Sequence, residues 1–279
     1  MKILKKFKLG KITLNNRICI APMCQYSGNN GNPSKWHYNH LGNLMKTGAG
    51  LLMIESTAVE KNGMISPKDL SLRNQDNFLS FKKLMKFLRK ISNTKIGLQI
   101  SHSGRKGSAM VPWVKSNYPL SNQKEKWKTI APSAIKRDKH WPVPEEISQL
   151  KIKKLIKNFI YSSQKAHKIG FDCLEIHMSH GYLLHQFFSP ISNKRKDIYG
   201  GNLKNRCRLL IEIAIAVRKS WPKNKILGAR VNGSDWLKNG TKISDCIYLS
   251  KELKKIGFDY VCITSGGIIP KTKLKYKSG

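Results

Sequence analysis

Lys168-Ile-Gly-Phe-Asp-Cys-Leu-Glu-Ile-His-Met-Ser-His-Gly-Tyr182 is the stretch that decides the fold. Its first residues read as the end of a helix, because a glycine, here Gly170, suits a helix C-terminus. A short apolar strand over 173–176 follows. Polar, reactive side chains then crowd its C-terminal end: His177, His180 and Tyr182. The opening returns later as Lys255-Ile-Gly-Phe-Asp259, ahead of a second apolar run at 260–264. Thr47-Gly-Ala-Gly50 precedes a third run, with the same helix-stopping logic. Helix, glycine stop and short apolar strand, repeated, is the pattern of βα units whose parallel strands are buried on both faces.

Working outward, residues 4–16 read as a hairpin, with arms at 7–9 and 12–14 and a turn at Gly10. Strands are expected at 17–21, 50–55, 96–100, 173–176, 226–231 and 260–264, six in all. Helices are expected at 36–46, 75–91, 147–169, 203–219 and 244–256, the last capped by Ser244. Residues 107–147 break the rhythm. They are rich in Pro, Trp, Ser and Lys without a clear period, and read as a long cover above the strand ends.

The first strand is not followed by G-x-G-x-x-G, which lowers the case for a dinucleotide-binding sheet. Polar groups recur instead along or after many strands: Cys24 and Tyr26, Ser56, Gln99, His177 and His180, and Arg230. Contributions from so many strands to one end favour a TIM (β/α)8 barrel, of which about six βα units are present, as one domain over 1–279.

Composition narrows the classes. Hydrophobic residues make up 40%, enough for a sizeable core. The six cysteines form no C-x-x-C pair and several sit in apolar runs, which suits reduced thiols in a reducing compartment. No signal peptide and no run of the roughly 18–20 apolar residues that span a bilayer is visible, so a soluble, cytoplasmic protein is expected. The net charge is +36, with lysine outnumbering arginine by 42 to 10 and spread along the chain. Nucleic-acid readers rely on arginine forks and concentrated patches, so specific nucleic-acid binding is not expected. His-x-x-His supplies only two metal ligands, and no metal is expected.

Several motifs together resemble the Old Yellow Enzyme family of FMN-dependent ene-reductases, in the form of its bacterial thermophilic-like or xenobiotic-reductase branch. They are Arg17-Ile-Cys-Ile-Ala-Pro-Met-Cys-Gln-Tyr26, Leu98-Gln-Ile-Ser-His-Ser-Gly-Arg105-Lys, Glu175-Ile-His-Met-Ser-His-Gly-Tyr182 with its continuation to Pro190, and the segment 193–206. The resemblance runs from about residue 3 to about residue 270. It implies an FMN-loaded barrel, reduced by NADPH or NADH, that passes hydride to the β-carbon of an α,β-unsaturated carbonyl compound. Carried over residue by residue, Ala21, Pro22, Met23 and Cys24 line the flavin, and Ser56 lies beside the ring. Gln99 meets its pyrimidine edge and Arg230 its N1–O2 side. His177 and His180 hold the substrate oxygen, Tyr182 donates the proton to the α-carbon, and Tyr26 lines the substrate pocket.

That chemistry agrees with the residue types. Hydride addition to an enone builds negative charge on the carbonyl oxygen, which two N–H donors stabilise. A phenol can protonate the adjacent carbon. Only six strands are counted, so the resemblance also implies that the last two βα units, with the segments holding the FMN phosphate, lie outside these 279 residues. An incomplete, C-terminally truncated frame is therefore expected, and a homo-oligomer only if the chain is complete. Two other classes remain open: a truncated, non-catalytic remnant and a basic anion-binding or scaffold protein.

Overall fold

A computed structural model describes residues 1–270. An antiparallel hairpin, β1 (Phe7–Leu9) and β2 (Ile12–Leu14), opens the chain. Then come β3 (Cys19–Ile20), α1 (Lys35–Met45), β4 (Leu51–Ala58), β5 (Leu70–Ser71), α2 (Gln75–Ile91) and β6 (Lys95–Ser101). The cover over 107–147 carries only short pieces: α3 (Pro112–Lys115), β7 (Ile130–Ala131) and β8 (Glu145–Glu146). The chain continues with α4 (Gln149–Ile169), β9 (Cys173–Met178), α5 (Leu183–Phe188), α6 (Leu203–Ser220), β10 (Ile226–Asn232), α7 (Ile243–Ile256) and β11 (Tyr260–Thr264).

The main sheet runs β3-β4-β6-β9-β10-β11, every neighbour parallel and every strand in chain order, with β5 paired to the end of β4. A doubly wound sheet reverses its order part-way; this one never does, which is the winding of a TIM barrel. The described residues supply six of that barrel's strands.

Alternation along the strands separates two faces. Leu52, Ile54, Leu98, Ile100, Leu174, Ile176, Ala229 and Val231 point outward into one continuous core with Leu84, Leu88, Leu155, Phe159, Leu210, Ile213 and Leu249 of the helices. The opposite, inward face is small and polar. Gly97 stands opposite Cys173, Gln99 opposite Glu175, Glu175 opposite Gly228, and His177 opposite Arg230. A register shift between Ile54 and Ser56 puts Ser56 opposite Gln99. The extra residue, Glu55, turns instead to His37 of α1, with Nε2 to Oε1 at 3.0 Å. The hairpin closes the N-terminal end of the strands. Phe7, Leu9 and Ile12 pack on Leu14, Leu51, Met53, Cys173 and Ile226, and a side chain at Gly10 would stand 2.5 Å from the Asp259 carboxylate.

Helix ends follow the expected chemistry. Ser148 accepts from the Lys151 N–H at the start of α4, and α4 and α7 stop at Gly170 and Gly257 in the left-handed conformation. Ser244 is not a cap. α7 starts at Ile243, and the Asp245 carboxylate accepts from the Lys242 N–H, so the side chain three residues on takes the capping role and Ser244 falls inside the first turn. α5 escapes sequence reading because all six of its residues are buried, which leaves no polar face to mark a period.

Candidate active site

The C-terminal ends of the parallel strands gather the polar side chains. β9 extends to Met178, so His177 lies on the strand itself, pointing inward beside Arg230 of β10. The turn after it carries His180 at φ +55, unusual for a residue with a side chain. The Ser179 N–H donates to His177 Nδ1 at 3.1 Å, which leaves the proton on Nε2. That Nε2 sits 3.2 Å from His180 Nδ1, so the His177 N–H points to its neighbour and His180 keeps its own N–H on Nε2. Burial holds the His177 imidazole well below its ordinary value, helped by His180, Arg230 and Lys106. Burial, Arg230 and Lys106 likewise bring His180 down to about 4. Both rings are therefore neutral N–H donors near pH 7.

Tyr182 caps α5, and its ring lies 4.6 Å from that of His177. Burial, then the neighbouring Cys24, Tyr26 and Asp69, push its phenol well above the usual range, so it stays protonated. Tyr182 packs in one cluster with Ile65, Ala109 and Trp141, against which Cys24 and Tyr26 also rest. Tyr26 meets Trp113 edge-on at 6.0 Å. Three residues of the cover, Ala109, Trp113 and Trp141, thus wall this side of the site. Burial raises the Cys24 thiol well above its ordinary value.

A layer deeper, Gln99 Nε2 donates to Glu175 Oε1 at 2.7 Å, and Ser56 Oγ is 2.5 Å from Ser101 Oγ. Arg230 Nε is buried without a hydrogen-bond partner among the described residues. Ala21, Pro22 and Met23 follow β3 at the mouth, with Ala21 and Met23 exposed. Tyr26, Cys24 and Tyr182 thus gather with His177 and His180 at one end of the sheet, Arg230 stands opposite His177, and Ser56 and Gln99 pair one layer deeper.

Other site residues were not singled out from sequence. Lys106 Nζ donates to the His180 carbonyl at 2.7 Å and lies 5.1 Å from the Tyr182 ring centre. Burial, then nearby Arg137, brings its ammonium down to about 7. His185 accepts from the Gly181 N–H and bonds Asp235 at 2.7 Å, which ties the turn carrying His180 and Tyr182 to the loop after β10. Glu175 is two residues before His177 on the same strand, so the period of two already placed it on the inward face. Among the described residues, no group of three or more His, Cys, Asp or Glu could hold a metal ion. No described helix is long and apolar enough to cross a membrane.

The family model for the NADH:flavin oxidoreductase / NADH oxidase family matches residues 2–278. The chain belongs to that family. This flavin oxidoreductase is 37% identical over 291 residues to the NADH:flavin oxidoreductase FG08077 of Gibberella zeae, with all of the chain and 70% of the relative covered. It is 36% identical over 270 residues to an NADPH dehydrogenase of Listeria monocytogenes, covering 96% of the chain and 74% of the relative. Among solved structures it is similar to a 2-naphthoyl-CoA reductase in complex with 2-naphthoyl-CoA. There the TM-score is 0.86 at 24% identity, covering 97% of the chain but only 42% of that protein. The old yellow enzyme of Trypanosoma cruzi aligns with a TM-score of 0.79 at 25% identity, over 95% of the chain and 75% of the enzyme. The flavin oxidoreductase is an enzyme of the Old Yellow Enzyme type, and its cofactors are FMN and a reduced nicotinamide nucleotide.

The residues present fit the ring of that flavin. Gln99 offers an amide, and the Arg230 guanidinium, whose buried Nε has no hydrogen-bond partner among the described residues, suits an electron-rich ring edge.

Proposed function

We propose that this flavin oxidoreductase reduces carbon–carbon double bonds conjugated to a carbonyl group, drawing on NADPH or NADH. One observation carries the reading: two neutral imidazoles and a protonated phenol meet at the end of one strand, walled by Trp141 and Tyr26. Bound FMN supplies hydride to the β-carbon; the protein's own groups do the rest. Ala21, Pro22, Met23, Cys24, Ser56, Gln99 and Arg230 are the residues that would hold the ring.

His180 already has its Nε2–H available, and His177 contributes a second donor by turning its Nε2–H from His180 to the substrate oxygen. As negative charge grows on that oxygen, both donors bind it more strongly. Tyr182 then gives its proton to the α-carbon. A phenol held far above its usual value is a weak acid in the resting site, so it does not lose that proton before a carbanion-like acceptor forms. Tyr26 lines the substrate side, with its ring edge-on to that of Trp113.

The test is an anaerobic titration of the FMN-loaded protein with a para-substituted phenol. A phenolate held by the two imidazoles and stacked on oxidised flavin gives a long-wavelength charge-transfer band. The double substitution His177→Ala, His180→Ala is expected to abolish it. A band that survives would remove the two histidines from the oxygen site.

A further inference from the structure

Glu175 takes no part in that chemistry, yet two side chains from other strands converge on it inside the barrel. It is buried, one layer below His177 on the same inward face of β9. Gln99 Nε2 donates to its Oε1 at 2.7 Å and the Tyr260 hydroxyl to its Oε2 at 2.9 Å. Tyr260 reaches it from β11 across β10 only because the residue between is Gly228, where a Cβ would stand 2.1 Å from the tyrosine ring. Burial raises the Glu175 carboxyl, while Gln99, Tyr260 and Arg230 pull it back toward the ionised form.

A carboxylate oxygen accepts hydrogen bonds, whereas an amide has one accepting and one donating end. With Glu175 beneath it, the Gln99 amide must turn its nitrogen inward. Its oxygen and second N–H then remain side by side for whatever lies above. We propose that Glu175 is a positioning residue that fixes the Gln99 amide in this one orientation, so that the site selects a cyclic imide edge: a ring N–H next to a carbonyl, as on the pyrimidine side of a flavin. The proposal rests on the reading of Gln99 as a ring contact. Without the carboxylate the amide can turn over and set N–H against N–H.

The experiment compares binding of FMN and 3-methyl-FMN, whose ring N3 has no proton, to flavin-free protein by fluorescence quenching. The wild type is expected to prefer FMN by about tenfold or more, because the methylated ring leaves a buried acceptor unmet. Glu175→Gln keeps the shape and removes the obligatory acceptor, so the preference should fall below about threefold. Tyr260→Phe leaves the carboxylate–amide bond in place and should keep the wild-type preference. Equal binding of both flavins by the wild type overturns the proposal. So does a preference untouched by Glu175→Gln, or equal weakening of both flavins, which marks a merely structural group. Binding of neither flavin to folded wild type overturns the reading of Gln99 as a ring contact, and this proposal with it.

Discussion

His180 combines an uncommon backbone conformation with a desolvated ring. It sits at φ +55 with its imidazole partly buried and unprotonated, where an exposed histidine would be relaxed. The consequence for stability has a definite sign. In the unfolded chain the ring takes a proton near 6.5, but in the folded chain only near 4. Between those values the unfolded state binds more protons, so stability rises with pH across the window and is lost on acidification. His177 acts in the same direction. Urea midpoints at pH 7 and pH 4.5 should therefore differ less in His177→Asn, His180→Asn than in the wild type. Tyr182→Phe should slow enone reduction by about 10² to 10⁴-fold while reduction of the flavin by NADPH stays near wild type. Equal slowing of both steps, followed by stopped-flow absorbance, would make Tyr182 a support of the flavin site instead. At this scale the sequence was legible where chemistry shows in residue type, as with His177, His180 and Tyr182. Lys106 was not: nothing in Gly-Arg-Lys says that its amine turns inward to the His180 carbonyl rather than to water.

The strands obey a division of labour set by the period of two. Outward residues are aliphatic and interchangeable in kind; inward residues are individually fitted. Gly228 is the clearest case, since any side chain there meets the Tyr260 ring. Gly228→Ala should destabilise by about 1–3 kcal/mol, an overpacking cost, measured by chemical denaturation. It should also free Tyr260 from Glu175, visible as a shift of tyrosine absorbance. Ser148→Ala, which removes the side-chain acceptor for the Lys151 N–H, should cost about 1 kcal/mol by the same measurement without touching the site. The glycine stops and apolar runs made the six strands and the long helices readable from sequence. The Ile54–Ser56 irregularity, the α5 turn and the short β7–β8 pair were not. Each depends on contacts with distant segments, such as Glu55 with His37, and leaves no local period.

The whole molecule carries a charge of +36, and most of its lysines have no acidic partner to meet, with 16 Asp and Glu against 52 Lys and Arg. Self-repulsion of that size works against compaction and is screened by salt. The thermal midpoint should therefore rise by a few degrees, on the scale of ~1 kcal/mol, between 10 and 300 mM sodium chloride. The same screening should weaken capture of the anionic NADPH, so its KM should rise while the protein becomes more stable. A midpoint that falls with salt would show that local ion pairs such as Arg195–Asp197 outweigh the net field. The hairpin under the barrel has a consequence in time. Phe7, Leu9 and Ile12 leave the ribosome before the strands of the main sheet, yet their packing partners include Ile226 and Tyr260, and the turn at Gly10 abuts Asp259. The hairpin must wait, incompletely covered, until β10 and β11 have been synthesised and placed. Contacts so distant along the chain form slowly. The growing polypeptide therefore carries an apolar hairpin without its full seat until those strands emerge, and that interval is when a chaperone has something to hold.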